Sequence, residues 1–168
     1  MIRALFCAVS FLALLGAGGA DPDPNRLAPV RPLVGGKWVG NGFLPGVGNY
    51  SSTRQFDWTL DGKFIQMQHV LTIRDSVLSE AGYFGWDAQR SAVALWGFAS
   101  DGSYTTARLL PARPGTMLIE GHTIGDAQTH WRILVRLRGK DELSIITEHE
   151  RKGSWIPYTS AIYKRQKG

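Results

Sequence analysis

The chain has 168 residues, a formal charge of +5, one cysteine, six tryptophans and twenty glycines. Hydrophobic residues at 43% and charged residues at 20% exclude a disordered chain, and the length suits one domain with a real core. The single cysteine, Cys7, excludes an intrachain disulfide framework and any cysteine-held zinc or iron–sulfur site.

Met1-Ile2-Arg3 carries one positive charge, Ala4 to Leu15 is apolar apart from Ser10, and Gly16 to Ala20 are all small. That order predicts a signal peptide over residues 1–20, cleaved before Asp21. The apolar run is shorter than the roughly 20 residues that a spanning helix needs. Cleavage removes Cys7, so the expectation is an exported protein, periplasmic or secreted, with no integral membrane segment. Residues 21–34, punctuated by prolines up to Pro32, read as an extended leader with little to bury. One domain is expected over 35–166.

Turn chemistry then recurs at Asp61-Gly62, Asp75-Ser76, Asp87-Ala88, Asp101-Gly102, Pro114-Gly115, Gly125-Asp126, Gly139-Lys140 and Lys152-Gly153. Between these points apolar and polar residues alternate with period two. Ile65, Met67, His69, Leu71 and Ile73 fall on one side of a strand, and so do Trp131, Ile133, Val135 and Leu137, or Leu143 and Ile145. No stretch after residue 36 sustains a helical period. About ten strands joined by short turns predict an antiparallel meander, and closure into an up-and-down barrel removes its unpaired edges. A two-sheet sandwich is the runner-up, but it needs long crossovers that the even spacing does not offer.

Gly36-Lys37-Trp38-Val39-Gly40 resembles the first-strand signature of lipocalins and related calycin barrels. The resemblance implies that Trp38 plugs the closed end and that a basic residue of the last strand, Arg165 or Lys164, covers it. Three further stretches are Phe56-Asp57-Trp58-Thr59-Leu60-Asp61-Gly62-Lys63-Phe64, Gly82-Tyr83-Phe84-Gly85-Trp86-Asp87, and Asp101-Gly102-Ser103. With the tail Gly153-Ser154-Trp155-Ile156-Pro157 and Tyr163, they look like an uncharacterised family of bacterial exported lipocalin-like barrels. That likeness spans most of residues 33–166 and implies a fold and an exported origin, without an activity. The opening also resembles haem-binding nitrobindin-like barrels, in which a histidine near the C-terminus holds haem. His149 stands in that region, but Glu148 and Glu150 flank it where the family has other surroundings, so no cofactor is expected.

Seven Phe, six Trp and five Tyr are enough to wall a cavity for an apolar or amphipathic molecule. The candidate lining is Trp58, Met67, His69, Tyr83, Trp86, Trp96, Trp131 and His149. His69 shares the apolar row of its strand, and His149 shares parity with Leu143 and Ile145, so both are expected to point inward as polar anchors. His130 shares the face of Arg132 and Arg136 and is expected outside. His122, Glu80 and Glu120 lie on strands whose faces the sequence does not separate, and Arg108 is more simply a surface residue. An inward histidine beside a carboxylate or phenol would suit an isomerase or cyclase, the enzymatic alternative to a binding protein. A third alternative is an envelope module whose partner docks on the outer face. No H-E-x-x-H, G-x-S-x-G or phosphate-loop sequence occurs. The basic residues are dispersed over Arg132, Arg136, Arg138, Lys140, Arg151, Lys152, Lys164, Arg165 and Lys167. That scatter points to a solvated face and not to a nucleic-acid partner.

Overall fold

Each alternating run becomes a strand, and there are ten among the described residues. They are β1 (Lys37–Leu44), β2 (Gly48–Thr59), β3 (Phe64–Ile73), β4 (Ser76–Asp87), β5 (Ala92–Ala99), β6 (Tyr104–Leu110), β7 (Thr116–Ile124), β8 (Gln128–Arg138), β9 (Glu142–Arg151) and β10 (Ser154–Gln166). The structure is a computed structural model in which residues 25–166 are described; the expected signal peptide lies outside the described residues. Every strand pairs antiparallel with its neighbour in sequence, and β1 also pairs with β10, so the sheet closes into a barrel without an edge. That closure excludes the sandwich.

Residue parity sets the two faces of the wall. Ile65, Met67 and His69 are buried on β3, Trp131 and Val135 on β8, and Leu143 and Ile145 on β9, while their neighbours turn outward. Between β9 and β10 the turn is the two residues Lys152 and Gly153, with φ of 52° and 78°, the left-handed pair that a tight hairpin requires. On β10 the pairing shifts between Pro157 and Thr159, leaving Tyr158 as an extra residue. Proline has no N–H for the ladder, so a bulge is where a strand accommodates it.

The segment before β1 departs from the expected extended leader. Residues 25–30 form turns that run into a single 3-10 turn, Arg31–Leu33. Leu27, Val30 and Leu33 recur every three residues and so share a face, which is buried against the lower end of the barrel. Pro32 causes no break there because the start of a helical turn does not need its N–H. Trp38 is fully buried above this plug and donates from Nε1 to the Leu33 carbonyl at 2.8 Å.

Arg165 lies over the Trp38 ring, with Cζ 4.2 Å from its centroid, and donates to the carbonyls of Pro32, Val34 and Gly35 at 2.6–2.7 Å. Lys164, on the opposite parity, is exposed outside. The two glycines around Trp38 now have physical reasons. Gly36 has φ of +72°, and a Cβ there would meet the Gln166 carbonyl at 2.8 Å and Arg165 at 3.0 Å. A Cβ on Gly40 would meet the Ile162 carbonyl at 2.5 Å and the Tyr163 ring at 2.7 Å. One glycine admits the arginine and the other admits the tyrosine.

Candidate functional site

Above the plug the barrel is not filled. A cavity of about 400 Å³ runs from Leu33 and Phe56 up to Leu44, Ile73 and Ser103 at the opposite end. The volume falls within the range of roughly 300–1,000 Å³ typical of small-molecule sites. Apolar residues of β3, β5, β7, β8 and β9 form most of the wall; Tyr50, Arg54, His69, Glu80, Thr159 and Tyr163 place polar groups on β2, β3, β4 and β10, and Thr105, Thr123, Thr147 and His149 add others across the cavity.

The polar corner is a continuous chain of hydrogen bonds. Arg54 Nε donates to Tyr163 Oη at 3.3 Å, and Tyr163 Oη donates to Ser52 Oγ at 2.9 Å. Ser52 Oγ lies 2.8 Å from His69 Nε2, and His69 Nδ1 lies 2.6 Å from Glu80 Oε2. Burial, and then the positive charge of Arg54, hold the His69 pKa below its ordinary 6.5. Burial pushes the Glu80 carboxyl up, but the hydrogen bond and charge of His69, with the charge of Arg54, outweigh it and leave the pKa lowered. A neutral imidazole beside a carboxylate must donate from Nδ1, which makes Nε2 the acceptor for Ser52. The donors therefore all point one way, from a guanidinium to a carboxylate. Nearby, Tyr50 Oη lies 2.8 Å from Thr159 Oγ1, and burial raises its pKa, which keeps the phenol neutral.

Sheet register explains why distant residues meet. Arg165 pairs with Trp38, Trp38 with Arg54, Arg54 with His69, and His69 with Glu80. These five are one row across β10, β1, β2, β3 and β4. Because strands in a closed barrel tilt, such a row climbs from the base into the cavity wall.

Of the candidate lining, Met67, His69, Trp131 and His149 line the cavity. Trp131 is anchored through Nε1 to Thr123 Oγ1 at 2.9 Å. The other four do not line it. Tyr83 and Trp96 are direct partners on β4 and β5 with outward parity, so they face each other outside the barrel. Trp86 shares the inward parity of Phe84 but sits at the base, with Arg26 stacked 5.0 Å from its ring. Trp58 shares the parity of Phe56, yet stands near the lower end of β2 at 38% exposure.

Glu80 faces inward. Glu120 and His130 face outward and lie 3.3 Å apart, with His122 stacked on His130 at 4.4 Å. Arg108 is exposed outside. The sequence reading missed Tyr50, Ser52, Arg54 and Tyr163. A signal was present on β2, where Tyr50 and Phe56 share one parity while Ser51, Thr53, Gln55 and Asp57 share the other. Polar Ser52 and Arg54 within the apolar row masked it.

The chain Ser52–His69–Glu80 has the order of a hydrolytic triad, but Ser52 is 2% exposed and does not line the cavity. A nucleophile sealed behind its neighbours does not reach a substrate. Haem does not fit the residues present either. A ligating histidine has its other nitrogen held by a carbonyl or carboxylate. Both His69 nitrogens are already engaged. His149, whose pKa is lowered by burial and by Arg151, has no hydrogen-bond partner among the described residues and instead stacks on Tyr158 at 4.0 Å. Among the described residues no group of three His, Cys, Asp or Glu is placed to hold a metal ion, and no helix is long and apolar enough to cross a membrane.

No family model matches the sequence, and no curated protein matches it. Among solved structures, the crystal structure of Rv2717c from M. tuberculosis is similar, with a TM-score of 0.61 and 17% identity. The match covers 84% of this chain and 98% of that one. At that identity the likeness is one of fold.

Proposed function

We propose that this protein is an exported, non-enzymatic barrel that binds a small amphipathic molecule in its cavity. The observation that carries the reading is the cavity itself: a space of about 400 Å³, walled mostly by apolar side chains, with its charged groups, Arg54 and Glu80, on the adjoining strands β2 and β4 beside His69 of β3. Packed interiors leave few voids larger than a water molecule, so a space this large calls for an occupant. Apolar walls bind the body of the ligand, and the polar corner fixes its orientation. The closed base leaves the end opposite Trp38 for access. The sequence pattern of residues 1–20 supports export, and sequencing of the secreted form is expected to begin at Asp21.

The test is titration with N-phenyl-1-naphthylamine, a neutral apolar fluorophore, together with native mass spectrometry and an absorption spectrum. Saturable binding is expected, with at least about tenfold loss in Ile133→Trp, where the larger side chain fills the cavity. An unchanged affinity in Ile133→Trp would overturn the reading.

The pairing of His69 with Glu80 facing a cavity favours a second reading, an acid/base enzyme of the isomerase type. Against it, Ser52 occupies Nε2, so His69 has no free nitrogen to offer a substrate.

A further inference from the structure

We infer that the outer wall of the barrel carries a site for a divalent transition-metal ion, held by the imidazoles of His122 on β7 and His130 on β8. The two residues are direct partners across the hairpin that joins these strands. Both have the parity opposite to buried Ile119 and Trp131, so they lie on the other side of the wall from the cavity. Their rings stack with centroids 4.4 Å apart and planes 21° from parallel. The site is independent of the cavity reading above.

Neighbours hold both rings in place. His130 Nε2 lies 3.3 Å from Glu120 Oε1, and the Trp155 ring meets His130 edge-on at 4.9 Å. Gln128 Nε2 lies 3.2 Å from Nδ1 of His122. Each imidazole thus has one nitrogen engaged on the wall. The second, Nδ1 of His130 and Nε2 of His122, has no hydrogen bond among the described residues. Donation from Nε2 of His130 to Glu120 leaves the lone pair on Nδ1. The Gln128 amide, with its oxygen turned to an Nδ1–H of His122, leaves the lone pair on Nε2. A carboxylate behind a ligating imidazole fixes its tautomer and makes the free nitrogen a stronger donor.

Bonds of about 2.0–2.1 Å from each imidazole place the two ligand nitrogens of one ion roughly 3–4 Å apart. The stacked rings are near that separation, and a tilt towards each other closes the remainder. An outer groove of about 470 Å³, lined by Glu120, His122 and His130, gives the ion its access. Nearby charges balance: Arg132 is paired with Glu148, and Glu120 faces Arg108 across β6 and β7. Selection therefore rests on the imidazoles, which suit copper(II), zinc(II) and nickel(II) and not the oxygen-seeking magnesium or calcium. Among the described residues no third His, Cys, Asp or Glu completes the set, so water fills the other positions.

The experiment titrates copper(II), zinc(II), nickel(II) and magnesium into the metal-free full chain by calorimetry, with an electron paramagnetic resonance spectrum of the copper form. One ion per chain is expected, tightest for copper(II) and absent for magnesium, with a spectrum showing two nitrogen ligands. His122→Ala and His130→Ala should each weaken copper(II) binding at least about tenfold, since either leaves the ion a single protein ligand. Glu120 is a positioning residue: Glu120→Gln keeps both ligands, so affinity should fall about tenfold while the two-nitrogen spectrum persists. A copper spectrum with fewer than two nitrogens in the unmodified protein would overturn the inference, and that measurement needs no variant to fold. Affinity unchanged in both alanine variants overturns it equally, as does a loss in His149→Ala in their place.

Discussion

Glu80 Oε2 lies 2.6 Å from Nδ1 of His69, its direct partner across β3 and β4. The pair is an ionised carboxylate beside a neutral imidazole, held inside the barrel. Both groups have pKa values below their ordinary 6.5 and 4.5. An unfolded chain takes up protons at the ordinary values while the folded chain resists, so stability rises with pH through that interval. It is fully present above about pH 6.5 and is lost as pH falls, first through His69 and then, below about 4.5, through Glu80. Thermal unfolding followed across this range should show that fall, and His69→Gln should flatten it between about pH 6.5 and 4.5. A slope unchanged in His69→Gln would locate the acid sensitivity elsewhere, with His149 the next group to examine.

Gly40 leaves the space that a Cβ would fill to the Tyr163 ring, whose hydroxyl donates to Ser52. In Gly40→Ala the new Cβ meets the Ile162 carbonyl and the Tyr163 ring, so the ring must shift away from Ser52. Overpacking of this kind costs about 1–3 kcal/mol in urea unfolding. Gly97→Ala is the control, since its Cβ meets nothing closer than 3.7 Å, and it should stay within about 0.5 kcal/mol.

Arg165 joins the last strand to the plug beneath the first. Arg165→Leu leaves the carbonyls of Pro32, Val34 and Gly35 without their donor and uncovers Trp38. We expect a loss of about 3 kcal/mol by urea unfolding and a red shift in tryptophan emission. Arg165→Lys should recover only part of it, because an ammonium cannot span three carbonyls while lying flat on an indole.

Tyr158 stands in the cavity lining only because of the bulge after Pro157, and its ring covers His149. Tyr158→Ala should speed both uptake and release of the neutral fluorophore in stopped-flow measurements, by about tenfold, with a smaller change in affinity. Unaltered rates would mean that ligands pass elsewhere around the mouth.

The barrel was legible because β3, β8 and β9 each keep apolar residues in one phase over several turns of alternation. The same parity puts His69 and His149 on the inward face. On β4 the rule lost its force: Tyr83, Phe84 and Trp86 put aromatic rings on both faces, and only pairing partners tell Tyr83 from Trp86. Ser52 and Arg54 were hidden for the opposite reason, being polar residues on the inward face. Their partner Tyr163 lies 111 residues from Ser52, a distance that no local pattern bridges. The plug was obscured by its prolines, which suggest extension, although the three-residue spacing of Leu27, Val30 and Leu33 was there to read.

Lys37 and Gln166 are register partners, so the strands begin and end at the same point on the rim. Topologically the ten strands form a ring with an arbitrary starting place. A permuted gene that joins the end of β10 to the plug segment and opens the loop after Leu110 would keep every strand pair. Such a chain should fold to the same barrel, whereas losing β10 alone would unzip the ring and expose β1 and β9 as bare edges.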